Sequence, residues 1–121
     1  MSKGKILIID DEPDVRGFLR DYFEDREYDV LTACDGEEGI KFAEKNDFDL
    51  ILCDMMMPKM IGLEFLRQIK EKKPSQRVIF MTGVQEPSMM AKAQALGCLH
   101  YVTKPVRLAD IEAKVAACFT S

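Results

Sequence analysis

The sequence predicts an α/β fold: a doubly wound, five-stranded parallel sheet with helices on both faces, a three-layer sandwich. Three observations predict it. Short apolar runs alternate with amphipathic helical stretches along the whole chain, as βαβ units require. The runs at residues 6–9, 50–53 and 78–81 are continuously apolar, the mark of parallel strands buried on both faces. Each run also ends on a polar group: Asp10-Asp11, Asp54 and Thr82 in turn, with Lys104-Pro105 following a fourth short run at Tyr101-Val102-Thr103.

The elements follow in order. After the first strand, Pro13 suits the first turn of a helix, and Val15, Phe18, Leu19, Tyr22 and Phe23 recur at helical spacing as its inner face. Residues 29–33 form a second strand, Asp35-Gly36 a turn, and residues 37–45 a second helix with Ile40, Phe42 and Ala43 inward. The third strand is 50–53, and Pro58 keeps the next loop, 55–60, from turning helical early. A third helix spans 62–73 with Leu63, Leu66 and Ile69 inside, and Pro74 ends it. The fourth strand, 78–81, precedes a helix opened by Pro87 and closed by Gly97, whose inner side of Met89, Met90, Ala93 and Leu96 is thin. A fifth strand at 99–102 and a last helix at 108–119, with Leu108, Ile111, Val115 and Phe119 inside, complete the chain. One domain over residues 1–121 is expected, with no linker or repeat left over.

With right-handed crossovers the expected strand order is flavodoxin-like, 2-1-3-4-5, which sets strands 1 and 3 side by side at the topological switch point. Ligands of such sheets bind beyond the carboxyl ends of the strands. Asp10, Asp11 and Asp54 therefore meet at one rim with Thr82 and Lys104. Three carboxylates so close raise one another's pKa unless a cation intervenes. Mg²⁺ suits the set, taking one or two carboxylates while sharing phosphate oxygens. The Met56 backbone carbonyl is the expected further ligand beside Asp10, Asp11 and Asp54. A carboxylate at such a metal can act as nucleophile and form an aspartyl-phosphate. Asp54, on the middle strand, is the expected acceptor; Lys104 would pair one phosphoryl oxygen and the Thr82 hydroxyl would donate to another. A tight turn aiming Lys104 inward favours a cis bond to Pro105, and sequence leaves both isomers open.

Composition excludes other classes. The chain has 121 residues, 47% hydrophobic and 31% charged, with a net charge of −4. That charge disfavours nucleic-acid coating, the apolar runs are too short for a membrane span, and the first residues carry no signal-peptide core. A cytosolic setting is expected. Cys34, Cys53, Cys98 and Cys118 lack zinc spacing and read as small buried hydrophobes. His100 reads as a solvated surface residue, and the run Lys70-Glu71-Lys72-Lys73 as a solvated helix end complementing the dipole. Strand-end aspartates can merely cap helices, as Asp11 ahead of Pro13 could, but capping leaves Thr82 and Lys104 without a role.

As a set, Ile9-Asp10-Asp11-Glu12, Cys53-Asp54-Met55-Met56-Met57-Pro58, Gly62, Thr82-Gly83 and Tyr101 before Lys104-Pro105 resemble the receiver domain of two-component response regulators, of the chemotaxis-regulator kind. The resemblance covers the whole chain. It implies a phosphoryl-accepting switch rather than an enzyme, in which Asp54 takes a phosphoryl group from a sensor histidine kinase, a phosphotransfer protein or a small phosphodonor. It further implies that Thr82 moves toward that group, that Tyr101 swings inward, and that the surface of helix 4, strand 5 and helix 5 changes for a downstream effector protein or output domain. A phosphorylation-dependent homodimer is also among its implications. Val106 and His100 depart from the common phenylalanine and aspartate. Met56 and Val84, both apolar, flank the approach of a hydrolytic water and would leave self-dephosphorylation slow.

Three other classes compete. A Mg²⁺-dependent aspartyl-phosphate phosphohydrolase would want a second aspartate where Met56 stands. A flavin-binding module would want a glycine- or hydroxyl-rich loop where Asp10-Asp11-Glu12-Pro13 stands. A degenerate receiver used only for protein contact would lack some of the five site residues.

Overall fold

In the computed structural model, which describes residues 2–83 and 87–119, ten elements alternate without exception. They are β1 (Lys5–Ile9), α1 (Pro13–Glu24), β2 (Asp29–Ala33), α2 (Gly36–Lys45), β3 (Leu50–Asp54), α3 (Gly62–Lys72), β4 (Val78–Thr82), α4 (Pro87–Ala95), β5 (His100–Thr103) and α5 (Leu108–Phe119). All strand pairs are parallel, in the order β2-β1-β3-β4-β5. The expected architecture and order are both present.

Strand alternation sorts the core into two layers. Leu7, Ile9, Ile51, Cys53, Val78 and Phe80 pack with Ile40 and Ala43 of α2, Phe65, Leu66 and Ile69 of α3, and Ala93 of α4. Ile6, Ile8, Leu50, Leu52, Ile79, Met81 and Val102 pack on the other face with Leu19 and Phe23 of α1 and Ile111, Val115 and Cys118 of α5. Every residue of β3 and β4 is buried, whereas in the edge strand β5 only Val102 is.

Helix geometry corrects several expected core positions. The buried axis of α1 runs through Leu19 and Phe23. Each residue advances about 100°, so Phe18 is turned off that axis and stands 53% exposed. In α2 the inner face is Gly36, Gly39, Ile40 and Ala43, with Phe42 only half-buried at its flank. In α3 the fully buried Phe65 was absent from the expected face, and Leu63 lies beside it, half-buried. Leu99 precedes β5 rather than opening it and is exposed.

Two elements carry explicit local signals. Asp35 caps α2, its Oδ1 accepting the Glu38 amide at 2.9 Å, while Glu38 Oε1 accepts the Cys34 amide at 3.0 Å, a reciprocal pair at the helix start. The lysines at the end of α3 are less solvated than expected: Lys70 Nζ donates to the Gln76 carbonyl at 2.6 Å and Lys73 Nζ to the Asn46 carbonyl at 2.8 Å, tying down neighbouring loops.

Glycines separate tight contacts from open space. A Cβ on Gly62 would meet the Met55 Cα at 2.9 Å and the Asp54 carbonyl at 3.0 Å, both backbone atoms, and the Phe80 ring at 2.8 Å. A Cβ on Gly17, within α1, would touch nothing within 4 Å. Gly17→Ala is therefore expected to stabilise the protein by about 0.5–1 kcal/mol. Gly62→Ala is expected to cost about 1–3 kcal/mol through overpacking. Urea unfolding of the two variants checks both signs.

Candidate functional site

The same alternation that builds the core aims the rim. Ile6, Ile8 and Asp10 follow one another on the α1/α5 face; Leu50, Leu52 and Asp54 do the same on the neighbouring strand, and Val102 leads to Lys104. Ile9 pairs with Cys53, so Asp10 and Asp54 leave the sheet at the same level. Phe80 and Thr82 point to the opposite face, where Phe80 pairs with Tyr101 and Thr82 with Thr103. The ladder continues past the strands: the Met55 amide donates to Met81 at 3.1 Å and the Lys104 amide to the Thr82 carbonyl at 2.8 Å.

At the rim, Asp10 is fully buried and Asp54 is 5% exposed. The Lys104 ammonium bridges them, 2.9 Å from Asp10 Oδ2 and 3.2 Å from Asp54 Oδ2, with Glu12 Oε1 at 3.5 Å. The bond from Lys104 to Pro105 is cis. The other carboxylate oxygens hold the backbone: Asp10 Oδ1 accepts the Glu12 amide at 2.9 Å, and Asp54 Oδ1 accepts the Met56 amide at 3.3 Å. Arg16 donates to the Asp10 carbonyl at 2.7 Å from within α1. The aspartates do not cap α1, whose N-cap is Glu12 without a side-chain bond.

Electrostatics follow from this enclosure. Burial, and next the charge of Asp10, push the Asp54 carboxyl up to about 6, against the downward pull of Lys104 and the Met56 amide. Burial alone would lower Lys104; its bonds and charge contacts with Asp10 and Asp54 overcome this and hold it above its ordinary value. Thr82 is buried and Tyr101 is 38% exposed.

The carboxylates of Asp10, Asp11 and Glu12 each offer a ligand atom, and these lie within 4.8 Å of one another. An all-oxygen, anionic donor set of this kind fits a hard divalent cation such as Mg²⁺. Glu12 was not among the expected ligands; its place directly after the acidic pair was the available signal. Asp54 is linked to Asp10 of this group by the shared Lys104 ammonium. Sequence patterning also missed the open apolar cleft beside Lys104, lined by Val15, Phe18, Leu19, Pro105 and Val106 with Glu12 and Asp14 at its edge. Its residues come from two separated segments, which no local pattern connects.

Cys53 and Cys118 are buried as expected, but Cys98 is half-buried and Cys34 is exposed at the end of β2. His100 is exposed, in keeping with a surface role. Val84 lies outside the described residues.

A doubly wound five-stranded sheet with an acidic, lysine-bridged pocket at its switch point defines a flavodoxin-like α/β domain of the receiver type. The chain belongs to the response regulator receiver domain family, whose model matches residues 6–116. It is 37% identical over 113 residues to the alkaline phosphatase synthesis transcriptional regulatory protein PhoP of Bacillus subtilis, covering 93% of this chain and 47% of that protein. It is 34% identical over 111 residues to the sporulation initiation phosphotransferase F of Bacillus subtilis, covering 92% of this chain and 90% of that protein. Among solved structures, the response regulator TrrA of Thermotoga maritima, in complex with Mg²⁺ and BeF, superposes with a TM-score of 0.86 at 30% identity, covering 98% of this chain and 99% of that one. The chain spans about half the length of several curated relatives, PhoP and the transcriptional regulatory protein ResD of the same organism among them. Among the described residues no helix is long and apolar enough to cross a membrane.

The raised Asp54 pKa makes a stability prediction for protein held in chelator. An aspartate whose pKa rises from 3.8 to about 6 on folding binds its proton more tightly when folded, so stability falls as pH climbs between those values. The ionised carboxylate then costs up to about 3 kcal/mol above pH 6. Asp54→Asn is expected to raise the melting temperature by several degrees at pH 8, with the gain shrinking toward pH 4. A gain that does not depend on pH would contradict this origin.

Proposed function

We propose that this chain is a phosphoryl-accepting switch of a two-component phosphorelay, with Asp54 as the acceptor. The observation that carries the reading is the Lys104 bridge between Asp10 and Asp54 at the switch point of the sheet. A buried carboxylate held by an ammonium and a backbone amide is oriented for attack through Oδ2, while Oδ1 is anchored by Met56.

Asp10 and Asp11, with Asp54 and the Met56 carbonyl, would hold Mg²⁺; the clustering of Glu12 with the acidic pair supports adding its carboxylate, directly or through water. When bound, the metal supplies charge neutralisation for the incoming phosphoryl oxygens. Lys104 then exchanges its contact with Asp54 Oδ2 for one phosphoryl oxygen, keeping Asp10 as its counter-ion. Thr82, one residue beyond the strand position paired with Asp54, donates its hydroxyl to another oxygen. Thr82 and Tyr101 share the α4 face of the sheet, so a shift of the threonine opens space for the ring, and the α4–β5–α5 surface is the readout.

The phosphodonor is a sensor histidine kinase or phosphotransfer protein, and the receiving partner is an effector protein or output domain. A single receiver unit over residues 1–121 fits this reading. A phosphohydrolase is the weaker reading, since Met56 offers no general acid after the acceptor.

Incubation with Mg²⁺ and acetyl phosphate is expected to add the mass of one phosphoryl group to the parent and none to Asp54→Asn, read by intact mass. An unchanged parent would refute the acceptor role. The phosphoryl lifetime is expected to be long, because neither Met56 nor Val84 can orient a water. Combining Met56→Asn with Val84→Glu should shorten it several-fold, and an unaltered decay rate would remove both residues from the account.

A further inference from the structure

Of the seven methionines among the described residues, Met55, Met57 and Met81 are buried, Met60, Met89 and Met90 are half-buried, and Met56 is exposed, at 48%. The chain bends after Asp54, and Met55 and Met57 anchor this loop in the core while Met56 faces water. Its amide is bonded to the acceptor carboxylate at 3.3 Å. The most exposed methionine of the described residues therefore sits two positions from the group that takes the phosphoryl.

Competing sulfur is muted. Peroxide attacks thiols as thiolates. Burial and the charges of Asp35 and Glu38 push the Cys34 thiol up, and burial pushes up Cys98 and Cys118. Cys53 is sealed inside β3, with its thiol raised by burial and by Asp54. Thioether oxidation needs no deprotonation, so Met56 keeps its full reactivity at neutral pH.

We propose that Met56 is a reversible oxidation site whose sulfoxide shortens the phosphoryl lifetime at Asp54. This rests on the phosphoryl-accepting reading above. Hydrogen peroxide is the oxidant: a sulfur lone pair forms a bond to one peroxide oxygen, the O–O bond breaks, and the other oxygen leaves with both protons as water. A dithiol reductant, through a methionine sulfoxide reductase, removes the oxygen as water and becomes a disulfide. The thioether is a weak hydrogen-bond acceptor, whereas the sulfoxide oxygen is polar and accepts strongly. Placed beside the acceptor, it accepts a hydrogen bond from the attacking water and orients it, which the apolar side chain does not do.

The test treats the full chain with graded hydrogen peroxide and maps methionine oxidation by peptide mass. Treated and untreated samples are then phosphorylated with Mg²⁺ and acetyl phosphate, and the decay is followed by intact mass. Met56 is expected to gain oxygen before the other methionines. The lifetime should fall about fivefold, the worth of one ordinary hydrogen bond to the attacking water. Reductase with dithiol should restore it. Met56→Leu, compared with its own untreated sample, should show no such fall. Earlier oxidation of another methionine, an unaltered lifetime in the oxidised parent, or an equal fall in oxidised Met56→Leu would each overturn the proposal. Failure of the untreated parent to take up phosphoryl would sink the acceptor reading itself, and this inference with it.

Discussion

Asp10 and Asp54 bring two carboxylates out of water at the ends of adjacent strands, and one ammonium, from Lys104, lies within bonding distance of both. A buried charge is tolerated only when paired and hydrogen-bonded. Much of the rim can be understood as meeting that condition. Backbone amides of Glu12 and Met56 take the oxygens that Lys104 leaves, and Arg16 pins the turn that carries the acidic run. The arrangement is balanced rather than relaxed, because Asp54 still titrates near 6. A pocket in which one charge is held at a cost is suited to chemistry that changes that charge.

The sheet supplies the accuracy. Period-two alternation sends Asp10, Asp54 and Lys104 to one face and Thr82 and Tyr101 to the other. The two sets of side chains are thus separated by the thickness of one strand, yet joined through the backbone bond from the Lys104 amide to the Thr82 carbonyl. Gly62 completes the frame by letting α3 press directly on the backbone at Asp54 and Met55, where its amide also donates to Met55 at 2.7 Å.

Strand identity, order and the polar strand ends were legible in the sequence because buried parallel strands are uniformly apolar, so a carboxylate at the end stands out. Helix faces were less so. Phe18 and Phe65 have the same hydrophobicity, but one stands in an open cleft and the other in the core, and only the rotation of each helix against the sheet decides. Gly39 gave no signal, and Gly62 stood out only within the motif set, since the contacts that make them matter come from distant segments such as Ile9 and Met55. Glu12 was hidden for a different reason: once Asp10 and Asp11 satisfy a pattern, a third acid looks like a helix start.

The edge position of β5 has a mechanical consequence. It is the strand with the least buried area, holding to the sheet through Val102 and one neighbour, yet it carries Tyr101 and leads into Lys104. Opening free energy is lowest where little apolar surface is lost, so β5 and its flanks form a compliant margin beside the fully buried central strands. A tug on the lysine at the rim therefore falls on a part of the sheet that yields cheaply, away from the fully buried strand that carries Asp54.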